Sequence, residues 1–306
     1  MKILYILIII LLFLTVGCDS QMEEYFERSE VAMGTVVTLK ATGPNAQIAV
    51  DEAFQKIATV EKQINEDISK IESTAGNTEN IEISIDVYDM LNIAQEYSIL
   101  TNGVLDVTIG AAVELWGIGT QNPRVPSAEE LEQVKAIVGH EHLHLRESDH
   151  SARLDKSGVK LDLGGLAKGY AVDIVRTIFD KYSIEDGLID FGTSTIYAMS
   201  DKRIGLKNPQ NPEEIARIVD IKNSAISTSG DYERYFTVEG KRYHHIIDPR
   251  TCSPAETTFH SVSVVVEGSE EHCATVADIL STTLFISGIN NIEGLPQKKV
   301  ITLSGD

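Results

Sequence analysis

Apolar side chains recur at Val50, Phe54, Ile57, Val60, Ile64, Ile68 and Ile71, in steps of three and four that predict one long amphipathic helix from Ala46 to Ile71. Val87, Met90, Leu91, Ala94 and Tyr97 predict a second helix. Leu131, Val134 and Ile137, behind Ser127 as an N-cap, predict a third. Leu166, Tyr170, Ile174 and Ile178 mark a fourth, and Ala274, Ala277, Leu280 and Leu284 place another over 270–287. Between the helices lie runs with strand character. Residues 31–42 are β-branched and roughly alternating, 215–228 and 259–267 read likewise, and 232–248 reads as a hairpin turning at Glu239-Gly240. Residues 159–163 form a short strand that runs straight into Gly164-Gly165. Because strands and helices mix without regular βαβ alternation, the expected class is α+β, with mixed, largely antiparallel sheets packed with helices.

The N-terminus carries a different pattern. Lys2 precedes an apolar run from Ile3 to Leu14, too short for the roughly 20 residues of a stable membrane span and suited to a secretory signal. Gly17-Cys18 resembles a bacterial lipoprotein processing site, at which the cysteine receives lipid. The division expected is a signal over 1–17, a polar tether over 18–30 and one domain over 31–306, held to the outer side of a bacterial membrane.

Composition narrows the options for the domain. The 306 residues carry 26 Lys+Arg against 46 Asp+Glu, a formal charge of −20, which excludes a surface built to collect nucleic-acid phosphates. Three cysteines without a CxxC spacing argue against structural zinc and thioredoxin-like chemistry. With Cys18 lipidated, Cys252 and Cys273 remain, either as a disulfide or as two inert thiols.

Several segments could carry chemistry. In Leu161-Asp162-Leu163-Gly164-Gly165-Leu166-Ala167-Lys168-Gly169-Tyr170 a strand ends in an acid, a Gly-Gly turn and a helix start. Such a turn lets backbone approach a ligand, and the helix N-terminus favours phosphate. It matches neither a Walker loop nor a dinucleotide fingerprint, and a plain tight turn fits it equally well. Adjacent His244 and His245 point to opposite faces of a strand, so at most one looks into a site. Asp278 and Thr282 are four apart on one helix face. A carboxylate and a hydroxyl at this spacing suit a hard cation such as Mg²⁺. The alternative is Thr282 bonded to its own helix and Asp278 paired with a base. His140, His142 and His144 alternate and could bind a transition metal if they formed one strand face, although a solvated edge explains them as well. Trp116 reads as core.

Taken together and in order, these segments resemble the ApbE family of FAD:protein FMN transferases. The resemblance rests on Ala32-Met33-Gly34-Thr35, Gly103-Val104-Leu105-Asp106-Val107-Thr108-Ile109-Gly110, the Leu161–Tyr170 stretch, Ser227–Tyr232 with His244–Arg250, and Ala277-Asp278 through Thr282. It implies Mg²⁺-dependent cleavage of the FAD diphosphate and transfer of FMN to a Thr or Ser hydroxyl of an acceptor protein, a redox-complex subunit, with release of AMP. It also implies Mg²⁺ on Asp278, Thr282 and the Gly165 carbonyl, and an FAD site lined by Met33, Val104, Leu105, Asp106, Asp162, Lys168 and Ile247. His245 is then the candidate base, with Asp278 sharing the catalytic role. Rival readings are an FAD pyrophosphatase that uses water in place of the hydroxyl, and a flavin-binding lipoprotein without catalysis. The chain departs from the family pattern at Asp190–Ile196, where a Gly-Gly-Asp or Gly-Gly-Asn turn is usual, and at Cys252, where glycine is usual.

Overall fold

The computed structural model describes residues 25–192, 194–211, 213–288, 296 and 298–304. Its centre is a seven-stranded antiparallel sheet in the order Tyr25–Ala32, Thr35–Thr42, Asp186–Phe191, Thr195–Ala198, Ser224–Gly230, Phe259–Glu267 and Lys299–Ser304. Among the described residues six α-helices accompany it: α1 (Ala46–Ser73), α2 (Ile85–Leu100), α3 (Gly110–Trp116), α4 (Ala128–Lys135), α5 (Ala167–Lys181) and α6 (Cys273–Ser287). The α+β class expected from the pattern is the one observed.

Alternation explains which face the helices cover. Val37, Leu39 and Ala41 on one strand, and Ile189 and Phe191 on its neighbour, are fully buried in one core with α1, α5 and α6. The intervening residues face the other way. There a hairpin of Lys202–Lys207 with Ile215–Ile221 supplies Ile204, Leu206, Val219 and Ile221 to a second, smaller core. A third cluster gathers Ile109, Ala112, Trp116, Ile247 and Cys252 around α3.

Several expected elements change on folding. The segment 31–42 is two strands, because Met33 (φ 49°) and Gly34 (φ 73°) adopt the left-handed conformation and fold the chain back. The first of these strands begins at Tyr25, so the domain takes in the last residues assigned to the polar tether. Residues 215–228 also divide between two sheets, at a Lys222-Asn223 turn in which Asn223 has φ 42°. Val159–Leu163 joins no sheet; it makes one parallel bridge, Ile109 to Lys160, and the Asp162 N–H bonds the Val107 carbonyl at 2.7 Å. Ser127 does cap α4, in a reciprocal capping box with Glu130. The hairpin does turn at Glu239-Gly240, between Tyr235–Val238 and Lys241–His244.

Both remaining cysteines are free and buried, Cys252 beside Trp116 and Cys273 at the start of α6. Burial pushes their thiols up to about 11 and about 12, so they are the inert pair rather than the disulfide. Among the described residues no helix is long and apolar enough to cross a membrane. The apolar run 3–14 and Cys18 lie outside the described residues.

Candidate active site

The end of the strand Ser224–Gly230, the α5 N-terminus and the middle of α6 meet at one cleft of about 430 Å³. Close packing of α5 on α6 builds its floor. A Cβ on Gly169 would stand 2.5 Å from the Ala274 carbonyl oxygen, so only glycine lets the helices come this near. The same approach puts the Gly169 N–H 3.0 Å from Asp278 Oδ2. Ser227 donates to Asp278 Oδ1 at 2.9 Å, and Thr195 Oγ1 stands 3.0 Å behind Ser227 Oγ. Two strand positions on, Ser229 Oγ lies 2.8 Å from Ser281 Oγ and 3.1 Å from Thr282 Oγ1.

A second contact fixes α6 lengthwise. Its preceding residue, His272, has φ 51° and offers no side-chain cap. The carboxyl of Asp173 on α5 does that work, accepting from Ala274 N at 3.0 Å, Thr275 N at 2.8 Å and Thr275 Oγ1 at 2.7 Å.

Asp278 is 3% exposed, and among the described residues it makes no ion pair with a Lys, Arg or His. Neither half of the alternative reading holds, since Thr282 turns its hydroxyl to Ser229 rather than to its own helix. Its two hydrogen bonds leave carboxylate lone pairs for a further ligand. An ideal Cβ on Gly165 would lie 3.6 Å from Thr282 Oγ1, so the Gly-Gly turn abuts this helix face. One carboxylate and one hydroxyl on this helix face could serve as ligands for a hard cation that fills its other positions with water and backbone oxygens. Among the described residues no three His, Cys, Asp or Glu side chains converge as a metal site, so a transition-metal centre has no counterpart here.

Across the cleft stands His245. Its backbone N–H donates to the Arg234 carbonyl at 3.1 Å, and its Nδ1 lies 3.3 Å from the same oxygen. A carbonyl only accepts, so Nδ1 carries the hydrogen and Nε2 keeps its lone pair. Burial first, then the Arg234 guanidinium, pushes the imidazole down to about 3. His244 points the other way, 6% exposed, bonded to the Ala255 carbonyl at 2.9 Å and edge-on to Phe285. The expectation that only one of the pair looks into a site is met.

A scan of the chain against family models matches residues 33–302 to the ApbE family. The chain belongs to the ApbE family. A relative named FAD:protein FMN transferase from Klebsiella pneumoniae is 31% identical over 278 residues, covering 89% of this chain and 84% of its own length. One of the same name from Treponema pallidum is 28% identical over 300 residues, covering 89% and 81%. Among solved structures, the ApbE protein from Thermotoga maritima superposes with a TM-score of 0.80 at 29% identity, covering 91% of this chain and 94% of that one. The flavin transferase ApbE from Vibrio cholerae gives a TM-score of 0.80 at 28% identity over 92% and 94%.

Every residue that the ApbE resemblance assigned to the site lines this one cleft: Met33, Val104, Leu105, Asp106, Asp162, Gly165, Lys168, His245, Ile247, Asp278 and Thr282. Local bonds hold several of them. Met33 N donates to Glu61 Oε1 at 3.0 Å. Asp106 Oδ1 accepts from both the N–H and the hydroxyl of Thr108, at 2.8 and 2.6 Å, while burial pushes the carboxyl pKa up from its ordinary value. Asp162 Oδ1 accepts from Gly164 N at 2.7 Å, and Lys168 Nζ reaches the Gly164 carbonyl at 3.3 Å. Trp116 is core, as read, its Nε1 donating to the Cys252 carbonyl at 2.8 Å.

The histidine triplet does not form one strand face, because residues 140–142 make a 3₁₀ turn before the strand Leu143–Arg146. His142 Nδ1 and His144 Nε2 both bond Asp155, at 3.0 and 2.6 Å, while His140 turns to within 4.0 Å of Asp106. The sequence singles out the Ser227–Tyr232 segment without giving Ser227 and Ser229, which position Asp278 and Thr282, a role, and it does not point to Glu233 and Arg234 on the cleft wall. Strand alternation carries the signal for the serines, since Ser227 and Ser229 share a face two residues apart.

Proposed function

We infer that the chain is an FAD:protein FMN transferase that splits FAD at its diphosphate and leaves FMN on a Thr or Ser hydroxyl of an acceptor protein, releasing AMP. The observation that carries this reading is the pairing, across one cleft, of a buried Asp278–Thr282 face that makes no ion pair among the described residues with a histidine whose Nε2 keeps its lone pair. Asp278, Thr282 and the carbonyl of Gly165 would hold Mg²⁺. Bound there, the ion supplies charge neutralisation for the diphosphate and for the phosphoryl group in transfer.

The chain's own residues do the rest. Met33, Val104, Leu105 and Ile247 give FAD apolar walls, and Asp106 and Asp162, each already turned by a local hydrogen bond, give it polar ones. Ser227 and the Gly169 N–H fix the Asp278 carboxyl, and Ser229 fixes the Thr282 hydroxyl. His245 Nε2 takes the proton of the acceptor hydroxyl as the new O–P bond forms and the bond from phosphorus to the bridging oxygen breaks; that oxygen leaves with AMP. A ring pushed down to about 3 is neutral throughout the physiological range but a weak base, so the transfer to it depends on the acceptor hydroxyl growing acidic as its oxygen bonds to phosphorus.

We also propose that the protein is lipid-anchored through Cys18 on the outer side of the bacterial membrane and that its acceptors are extracytoplasmic redox-complex subunits. The apolar run after Lys2 and the Gly17-Cys18 pair support this. Incubating the enzyme with FAD and Mg²⁺, with and without a Thr-containing acceptor, tests the activity. AMP together with protein-bound flavin fluorescence is expected, AMP alone would favour hydrolysis by water, and intact FAD in both tubes would refute both. Asp278→Ala is expected to reduce Mg²⁺-dependent turnover at least about 10³-fold; retained activity with unchanged Mg²⁺ dependence would refute the metal assignment.

A further inference from the structure

Four acids line the cleft, Asp106, Asp162, Glu233 and Asp278, against two basic side chains, Lys168 and Arg234. An anionic diphosphate brought beside four acids draws on the basic side chains of the wall as well as on a cation at Asp278. Lys168 is bonded to its own turn. Arg234 makes no ion pair among the described residues, although Glu233 is its neighbour in sequence. Its stem lies across the bare backbone of Gly119, whose φ is 88° and where an ideal Cβ would come within 3.2 Å of Arg234 Cδ. The arginine stem therefore packs directly on the loop after α3. The Arg234 carbonyl, meanwhile, is the group that orients His245.

We propose that Arg234 is a catalytic residue of this transferase, its guanidinium binding the phosphoryl group in transfer on the side opposite Asp278. This rests on the flavin-transferase reading. As the acceptor oxygen bonds to the FMN phosphorus and the bridging oxygen departs with AMP, negative charge grows on the non-bridging and leaving oxygens. A planar, forked donor meets two such oxygens at once, which a lysine cannot do. One residue then serves both partners of the reaction: its carbonyl aims the base at the incoming hydroxyl, and its side chain holds the phosphorus centre that the hydroxyl attacks.

The test compares wild type with Arg234→Ala, Arg234→Lys and Arg234→Gln in the full chain, reading AMP release, flavin transfer to a Thr-containing acceptor, FAD binding by fluorescence quenching, and thermal melting. Arg234→Ala is expected to lower kcat by about 10²–10³ while FAD affinity changes less than about 10-fold. Arg234→Lys should recover part of the rate, Arg234→Gln almost none, and guanidinium added to Arg234→Ala should restore turnover. A variant that melts like wild type and keeps kcat within about 3-fold would overturn the proposal. So would a loss confined to KM, or a rate that guanidinium and lysine leave equally unchanged. A wild-type chain that neither releases AMP nor transfers flavin would instead remove the reading beneath it, a result visible before any variant is made.

Discussion

His244 and His245 are neighbours in sequence with opposite surroundings, and both are held below the ordinary imidazole range. Burial is the main cause in each case. The unfolded chain takes up its proton near pH 6.5, and the folded His245 only near 3. Folding is therefore disfavoured progressively as pH drops through that window, and the stability belonging to the neutral ring is complete above it. Asp190 behaves in the opposite sense. It sits in the strand Asp186–Phe191 with Oδ1 unpartnered, and burial pushes it up to about 6. Between about pH 4 and 6 the folded state keeps a proton that the unfolded chain has lost, so stability declines as pH rises through that range. Asp190→Asn is expected to equal wild type near pH 4 and to exceed it at pH 7 by on the order of 1 kcal/mol, allowing for partial exposure. Urea midpoints at the two pH values check this; an equal difference at both would refute it.

Helix α6 carries Asp278 and Thr282, but its neighbours decide where they stand. Asp173 caps its first turn from α5, Gly169 admits it to contact distance, and Ser227 and Ser229 receive it on the sheet. Asp173→Ala leaves two backbone N–H groups buried without acceptors and is expected to cost about 2–4 kcal/mol in urea melts. It should also lower turnover by displacing Asp278; unchanged stability would show that another group caps the helix. The helices themselves were legible from their period, and α5 and α6 appear close to where the apolar positions put them. The strands were less so. Nothing in 31–42 announces that Met33 will take a positive φ, and the apolar content of 215–228 runs unbroken across the Asn223 turn. The hairpin was a signal left unused. A two-residue turn at Glu239-Gly240 fixes its register, so that five residues back and five residues on are Arg234 and His245, a pair that the sequence already places side by side.

At the scale of the whole molecule the cleft draws on Met33, the 104–109 loop, the Gly164-Gly165 turn, the 227–230 strand end, His245 and α6. Spacing along the chain could join only pairs such as Asp278 with Thr282. The rest came within reach through family resemblance, because contacts between segments distant in sequence are set by sheet order rather than by local pattern. The proposed anchor belongs to this scale too. Cys18→Ala is expected to move the protein from the membrane to the soluble fraction and to abolish incorporation of labelled fatty acid, while turnover with a soluble acceptor stays within about 2-fold of wild type; labelling that survives the substitution would refute lipidation at Cys18.

The edge strand would give the proposed anchoring a geometry. The chain joins the sheet at Tyr25 and reaches the Met33-Gly34 turn on the cleft wall eight residues later. At about 3.3 Å per residue, the strand spans roughly 25 Å between Tyr25 and the cleft wall. Under the proposed anchoring at Cys18, the strand would be a rigid part of the distance from lipid to cleft. Acceptors rooted in the same bilayer would be chosen by height as well as by sequence: a hydroxyl borne on a domain that stands clear of the lipid comes level with the cleft, and one at the foot of a membrane segment does not.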